Sequence, residues 1–171
     1  KEEVKALGYN CGKAVIEVAT IGLTVYELVN AVRGFVKSAV IKGASRSISY
    51  SDYRNIYKSS IHNAGKDKIM LGKYDGGGST SYITKAGKDY TYFSMGDDWN
   101  KIKMQYGFTE DDMFKLFNES FLDDGINANK LFSFSHNPIG DTGALGLEYK
   151  YLKQNGYVYN PGTMTMTPKG K

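Results

Sequence analysis

The pattern of apolar and polar positions divides the chain into a long amphipathic segment and a region of shorter elements. Within residues 12–41, polar side chains recur every three or four positions, which places them on one face of a helix. They are Glu17, Thr20, Thr24, Glu27, Asn30, Arg33 and Lys37. The longest uncharged run, residues 18–26, is shorter than the ~20 residues that a membrane span needs. We therefore expect an amphipathic helix that packs on the protein or a partner, with transient membrane contact as the alternative.

Residues 42–68 are polar and rich in Ser and Gly, so they predict a linker with one short helix at about 50–60. Basic residues dominate this segment. They are Lys42, Arg46, Arg54, Lys58, Lys66 and Lys68, against Asp52 and Asp67. We accordingly divide the chain into a helical segment with a basic linker (residues 1–68) and a second domain (residues 69–171).

Strand-like and helix-like patterns alternate along the second domain. Strands are predicted at 68–74, 90–95 and 131–134, and a closing hairpin at 157–159 and 163–167. Helices are predicted at 79–86, 99–106, 110–123 and 145–154. Thr109 precedes an acidic first turn, and Asn155-Gly156 follows the last helix, as capping rules require. The expected fold is α+β, a mixed β-sheet flanked by helices, preceded by the N-terminal amphipathic helical segment.

Composition narrows the possible chemistry. The apolar fraction of 41% in 171 residues suits one ordinary core, and the single cysteine, Cys11, excludes an intrachain disulfide. Two distant histidines and no HExxH motif give no zinc-ligand pattern. Acidic pairs such as Asp97-Asp98 lie at predicted helix ends, where the helix dipole accounts for them. We expect no cofactor and no bound metal.

Charge gives only a weak indication of a partner. The net charge is +4, but the basic excess lies in the linker, and residues 69–171 are close to neutral. A basic stripe is the usual mark of a nucleic-acid-binding surface. Its absence from the second domain weighs against a simple polyanion interface there.

The strand at 131–134 delivers Ser135, His136 and Asn137 to its end, just before Pro138 stops it. Ligands usually bind at strand ends in α/β sheets, and imidazole titrates near neutral pH without help. A histidine hydrogen-bonded there for structural reasons is the alternative. The expected catalytic residues are His136, Lys73, Tyr82 and Glu148. The expected substrate-binding residues are Ser135, Asn137 and Tyr151.

The expected catalytic residues, together with the absence of a metal-ligand pattern, favour RNA over DNA as the substrate. Metal-free RNA cleavage needs a base for the 2′-hydroxyl, an acid for the 5′ oxygen and a cation for the phosphate. His136 would be the base or acid and Lys73 the cation, with Tyr82 and Glu148 transferring protons or positioning substrate. DNA has no internal 2′-hydroxyl and generally needs a metal.

Several spaced motifs resemble one known family. They are Ile69-Met-Leu-Gly-Lys73, Ser81-Tyr82, Tyr92-Phe93, Trp99, Phe121-Leu-Asp123, Ser135-His-Asn-Pro138, Glu148-Tyr149 and Gly156-Tyr157. Together they resemble the C-terminal toxin domains of bacterial polymorphic toxins, of the LXG, RHS/WapA and contact-dependent inhibition types. Residues 12–34 resemble the helical pretoxin region that precedes such domains.

The resemblance implies an antibacterial toxin domain of a secreted effector, here expected to be a ribonuclease. It would cut tRNA or another cellular RNA in the cytoplasm of the target bacterium, and a cognate immunity protein would neutralise it. The first residues show no signal peptide, and we expect the chain to be part of a longer protein. Alternatives are a metal-dependent DNase using the acidic pairs, an interaction or pore-forming module led by residues 12–41, and an enzyme that consumes a nucleotide such as NAD.

Overall fold

A computed structural model describes residues 48–170, which form two small sheets and a set of short helices. The strands are β1 (Ile61–His62), β2 (Lys68–Leu71), β3 (Tyr92–Phe93), β4 (Leu131–Phe134), β5 (Tyr157–Asn160) and β6 (Thr165–Pro168). The helices are α1 (Tyr50–Ser59), α2 (Tyr82–Ala86), α3 (Asp98–Tyr106), α4 (Glu110–Met113), α5 (Glu119–Asn127) and α6 (Ala144–Gln154). A π-helical turn, Phe114–Asn118, joins α4 to α5. None of the described helices is long and apolar enough to span a membrane.

The main sheet is mixed, with strand order β2-β4-β6-β5. Strands β2 and β4 run parallel, with Leu71 opposite Phe134, so the carboxyl ends of both strands lie at the same edge of the sheet. Strand β6 pairs antiparallel with both β4 and β5. The ribbon of β1 and β3 is a separate antiparallel pair, which a bridge between Thr91 and Ile69 attaches to β2. The predicted α+β fold with a mixed sheet is confirmed for the described residues.

The core lies between this sheet and the helices packed on it. Phe117, Phe132, Leu122, Leu152 and Met166 are fully buried. The approach of α5 to the sheet depends on Gly125, where a Cβ would lie 2.6 Å from the Phe132 ring and 2.5 Å from Ile69. A side chain there would have to push the helix away from β2 and β4.

The predicted boundaries need correction in several elements. Strand β2 ends at Leu71 instead of residue 74, and the Lys73 carbonyl accepts a hydrogen bond from the Tyr82 N–H instead of from a neighbouring strand. Only Tyr92–Phe93 of the predicted strand 90–95 is a strand, and α2 begins at Tyr82 instead of residue 79. The predicted helix 110–123 continues to Asn127 and contains the π-helical turn, which its sequence did not predict.

Residues 48–68, assigned to a linker from their composition, pack into the same core as the rest. The short helix predicted at 50–60 is confirmed as α1, whose cap Ser49 accepts a hydrogen bond from the Asp52 N–H. Tyr53 is buried, and its ring stacks on Phe117 with centroids 5.5 Å apart. The folded unit therefore begins no later than Ile48. The helix predicted at 12–41 and Cys11 lie outside the described residues.

Candidate functional site

A cleft of about 570 Å³ opens where β2 and β3 end, beside the start of α6. Its aromatic and polar lining residues are Lys73, Tyr74, Tyr82, Ser94, Trp99, Asn118, Asp141 and Glu148. Met70, Phe93, Met95, Phe121 and Leu145 are among the apolar residues that line it. Ligand sites typically combine such an apolar wall with a few polar groups.

The rim of the cleft is built by a close approach between two chain segments. Gly72 follows β2 and packs on Ser135, which follows β4, and a Cβ at Gly72 would lie 1.7 Å from the Ser135 hydroxyl oxygen. The Ser135 N–H donates to the Leu71 carbonyl over 2.8 Å. This contact places Lys73 at the mouth of the cleft.

Lys73 forms an ion pair with Asp141, with Nζ 2.5 Å from Oδ2. The Asp141 side chain is only 8% exposed, whereas that of Lys73 is 55% exposed. The other Asp141 oxygen accepts hydrogen bonds from the N–H groups of Gly143 (2.8 Å) and Gly146 (3.3 Å). The Lys73 ammonium, then the Gly143 N–H, lower the pKa of Asp141. Asp141 is therefore a fixed negative charge that holds the Lys73 ammonium at the rim.

The loop that carries Asp141 tolerates no side chain at Gly146. A Cβ there would lie 1.9 Å from the Asp141 carbonyl oxygen, a backbone atom that cannot rotate away. We expect Gly146→Ala to lower the free energy of unfolding by about 1–3 kcal/mol, as overpacking does. Urea denaturation measures this. The control is Gly162→Ala in an exposed turn, where the nearest atom to a Cβ is 3.3 Å away, and equal stability of the two variants would contradict the prediction.

Glu148 projects from the first half of α6 into the floor of the cleft, where its residue is only 8% exposed. Its Oε1 accepts a hydrogen bond from the Asn118 Nδ2 over 3.1 Å, and its Oε2 has no hydrogen-bond partner. The pKa of Glu148 is raised to about 8, chiefly by burial; the Asn118 hydrogen bond lowers it, and the Asp141 charge adds a smaller increase. The carboxyl is therefore able to exchange a proton at physiological pH.

Asn118 occupies the last position of the π-helical turn, and its side chain contacts Glu148 of α6. Its Oδ1 is buried without a hydrogen-bond partner. A buried acceptor left unpaired costs about 1–3 kcal/mol. Single π-helical turns often occur at functional sites, because the extra residue rotates the side chains that follow it.

Tyr82 lines the cleft but is committed to the backbone. Its N–H donates to the Lys73 carbonyl (3.1 Å), and its hydroxyl donates to the Phe93 carbonyl (2.7 Å). Burial raises the pKa of Tyr82 to about 12, so the phenol stays neutral. Its place fits a positioning role better than proton transfer.

Two aromatic side chains offer flat faces at the mouth of the cleft. Tyr74 is 61% exposed, and the half-buried Trp99 ring is held by a hydrogen bond from Nε1 to Glu110 (2.9 Å). Lys103 in turn pairs with Glu110. An anchored indole and an exposed phenol are suitable surfaces for stacking a planar ligand.

Ser135, His136 and Asn137 lie at the end of β4 but are not among the residues that line the cleft. The Ser135 hydroxyl is 2.7 Å from the His136 Nδ1, and the Ser135 carbonyl accepts from Lys85 (2.6 Å). The Asn137 Oδ1 accepts from the Ile139 N–H within its turn. These contacts account structurally for the polar side chains at the strand end.

Tyr151 is also absent from the cleft lining, and its hydroxyl donates to the Asp123 carboxylate over 2.6 Å. Of the seven residues expected at the site, the cleft thus brings together Lys73, Tyr82 and Glu148. The sequence did not predict Asn118, Asp141, Tyr74 or Trp99 as site residues. The spacing of Asp141 with Gly143 and Gly146 at the start of a helix is a signal that could have indicated Asp141.

The acidic pairs considered as metal ligands have other partners. Asp98 pairs with Lys101, and Asp111 pairs with Lys115. Asp112 closes a capping box with Thr109. Within residues 48–170, no three His, Cys, Asp or Glu side chains are grouped so that they could hold a metal ion.

The chain matches no protein-family model, no curated protein sequence and no solved structure. Its function is therefore inferred from the chemistry of the cleft together with the sequence motifs.

Proposed function

We propose that this chain is a metal-independent ribonuclease and the toxin domain of a secreted antibacterial effector. The observation that supports the enzymatic part is the buried Glu148 carboxyl, which has one unpartnered oxygen at the floor of a cleft. Lys73 supplies a positive charge at the rim of the same cleft. A proton-exchanging group and a cation are the minimum set for cleaving RNA through its 2′-hydroxyl.

In this mechanism, Glu148 takes the place first expected for His136. The ionised carboxylate accepts the proton of the 2′-hydroxyl, and the 2′ oxygen attacks the phosphorus. The bond to the 5′ oxygen breaks, which leaves a 2′,3′-cyclic phosphate on one fragment. The departing 5′ oxygen takes a proton from solvent at the open rim. Lys73 neutralises the charge that builds up on the phosphate oxygens.

Asp141 acts indirectly in the proposed reaction. Its carboxylate keeps the Lys73 ammonium at the rim, and its charge contributes to the raised pKa of Glu148. A phosphate that approaches Lys73 shares the ammonium with Asp141. Full release of the lysine is not needed, because an ammonium group has three donors.

The biological setting rests on the sequence motifs that resemble polymorphic-toxin domains. We propose action on tRNA or another cellular RNA in the cytoplasm of a target bacterium. A cognate immunity protein would neutralise the enzyme in the producing cell. The amphipathic segment at residues 12–41 would serve delivery, with transient membrane contact.

The direct test uses the 171-residue protein and two oligonucleotides of equal sequence, one RNA and one DNA, in the presence of EDTA. We expect cleavage of the RNA alone, with 2′,3′-cyclic phosphate ends detected by mass spectrometry. Intact RNA would refute the proposal. Loss of DNA that requires a divalent cation would favour the metal-dependent DNase, and loss of NAD would favour a nucleotide-consuming enzyme.

Replacement of Lys73 by alanine is expected to slow RNA cleavage by about 10²-fold, because one electrostatic donor to the phosphate is lost. The matched control is Lys101→Ala, which removes a lysine from the exposed ion pair with Asp98 on α3, outside the cleft. Initial rates on a fluorescent RNA oligonucleotide measure both variants. Equal rates for the two would remove Lys73 from the proposed site.

A further inference from the structure

We propose that the cleft selects guanine, so that RNA is cut on the 3′ side of guanosine. This inference rests on the proposed ribonuclease function, because it takes Glu148 as the group that meets the 2′-hydroxyl. It adds a base-recognition residue, Asn118, and a base preference that follows from the atoms left unpaired in the cleft.

The two unpaired oxygens belong to side chains that are hydrogen-bonded to each other. Asn118 Nδ2 donates to Glu148 Oε1 over 3.1 Å, and this leaves Asn118 Oδ1 and Glu148 Oε2 without partners. When Glu148 is ionised and ready to accept a proton, it has only acceptor atoms. Asn118 must then turn its amino group toward Glu148, so that its oxygen faces away as an acceptor. The catalytic form of the site thus offers a hydrogen-bond acceptor beside the catalytic carboxylate.

The part of a nucleotide that reaches this acceptor is fixed by covalent geometry. A 2′-hydroxyl held at Glu148 brings the adjacent sugar edge of the same base toward Asn118. On that edge, adenine presents N3 and the pyrimidines present O2, which are all acceptors, whereas guanine adds to its N3 the N2 amino group, which is a donor. Only guanine therefore pairs with Asn118 Oδ1, and every other base would set two acceptors against each other.

The rest of the cleft suits a nucleobase. The anchored ring of Trp99 and the exposed ring of Tyr74 offer faces on which an unpaired base can stack. Asn118 Oδ1 is buried in the structure, so a small rotation of its side chain must accompany binding. The hydrogen bond gained with the guanine amino group compensates for this movement.

Binding can be tested without catalysis, because Trp99 is the single tryptophan of the chain and lines the cleft. The 171-residue protein is titrated with guanosine 3′-monophosphate and with inosine 3′-monophosphate, while tryptophan fluorescence is followed. These two ligands differ only in the N2 amino group. We expect the guanosine nucleotide to bind about tenfold more tightly, which corresponds to one net hydrogen bond. Equal affinities would overturn the inference.

The cleavage assay uses DNA oligonucleotides that each contain one ribonucleotide, which is G, I, A, C or U. We expect the guanosine substrate to be cut about tenfold faster than the inosine substrate. The inosine and adenosine substrates should be cut at similar rates. Equal rates at all five would overturn guanine selection and leave the ribonuclease proposal standing. Absence of cleavage at every base would refute the ribonuclease, and the fluorescence titration would still decide whether the cleft selects guanine.

Asn118→Leu is expected to bring the guanosine-to-inosine affinity ratio close to one. The matched control is Asn155→Leu, at the exposed end of α6, which should keep the ratio of the unmodified protein. An Asn118→Leu variant that folds and keeps the preference would exclude Asn118 as the recognition residue. If that variant does not fold, the two-ligand comparison on the unmodified protein decides.

Discussion

Replacing Glu148 with glutamine is expected to slow RNA cleavage by about 10²- to 10⁴-fold, the usual loss when a general base is removed. Glutamine keeps the shape of the side chain and can still accept from Asn118 through its Oε1. It cannot take the 2′-hydroxyl proton. The result would therefore report on proton transfer and not on packing.

The pH dependence of the same reaction provides a second readout. Because the pKa of Glu148 is raised to about 8, the fraction that is ionised, and with it the rate, should increase with pH and level off above pH 8. Glu148→Gln should lose this dependence along with most of the rate. The control is Glu119→Gln, outside the cleft lining, which should keep both the rate and the profile. If His136→Ala caused the large loss and Glu148→Gln did not, the histidine of the strand end would be the base instead.

The stability of the fold should also depend on Glu148. Its folded pKa of about 8 lies above the ordinary glutamate value, so the folded state binds the proton more tightly than the unfolded state. The resulting stabilisation is fully present below the unfolded pKa of about 4.3 and is lost as pH rises through 8. The slope is about 1.4 kcal/mol per pH unit, which gives on the order of 5 kcal/mol over the whole window. Glutamine does not ionise, so the Glu148→Gln variant should not show this decrease in stability as the pH rises.

Urea denaturation of the unmodified protein and of Glu148→Gln at pH 5, 6.5 and 8 measures the effect. We expect the unfolding free energy of Glu148→Gln to rise relative to that of the unmodified protein as the pH increases. Other titrating groups contribute to both proteins alike and cancel in this difference. Glu119→Gln should follow the unmodified protein at every pH. Parallel curves for the unmodified protein and Glu148→Gln would contradict the raised pKa.

The elements with the clearest local signals were predicted closely. Strand β4 begins and ends at the expected residues, because alternating side chains are followed by the Asn137-Pro138 turn. Helix α6 and the closing hairpin followed from the Asn155-Gly156 end and the Asn160-Pro161-Gly162 turn. Such signals lie within a few residues of the element that they define.

The site itself was only partly predictable. Glu148 and Lys73 were among the expected residues, but their meeting depends on the loop at Asp141, whose fold is set by backbone contacts at Gly146. Asn118 reaches the cleft through a π-helical turn, and no residue pattern in α4 or α5 indicates one. His136 was expected at the site because it is a histidine at a strand end, yet it is not among the residues that line the cleft. A local pattern gives no information about which distant residues share a cavity.

The parallel pairing of β2 with β4 has a consequence for how the cleft assembles. Lys68 lies opposite Leu131, so the pairing joins distant parts of the chain. Lys73 follows β2 by two residues, and Glu148 lies on α6, the helix that follows β4. Closing the long loop between β2 and β4 costs conformational entropy before the strand contacts can form and offset it. Folds with many such distant contacts form slowly. Half-folded chains would have helices but no assembled cleft. Under the proposed delivery, a chain that crosses a membrane unfolded would therefore lack an assembled cleft. The proposed ribonuclease activity would begin only after folding, at a time set by the folding rate.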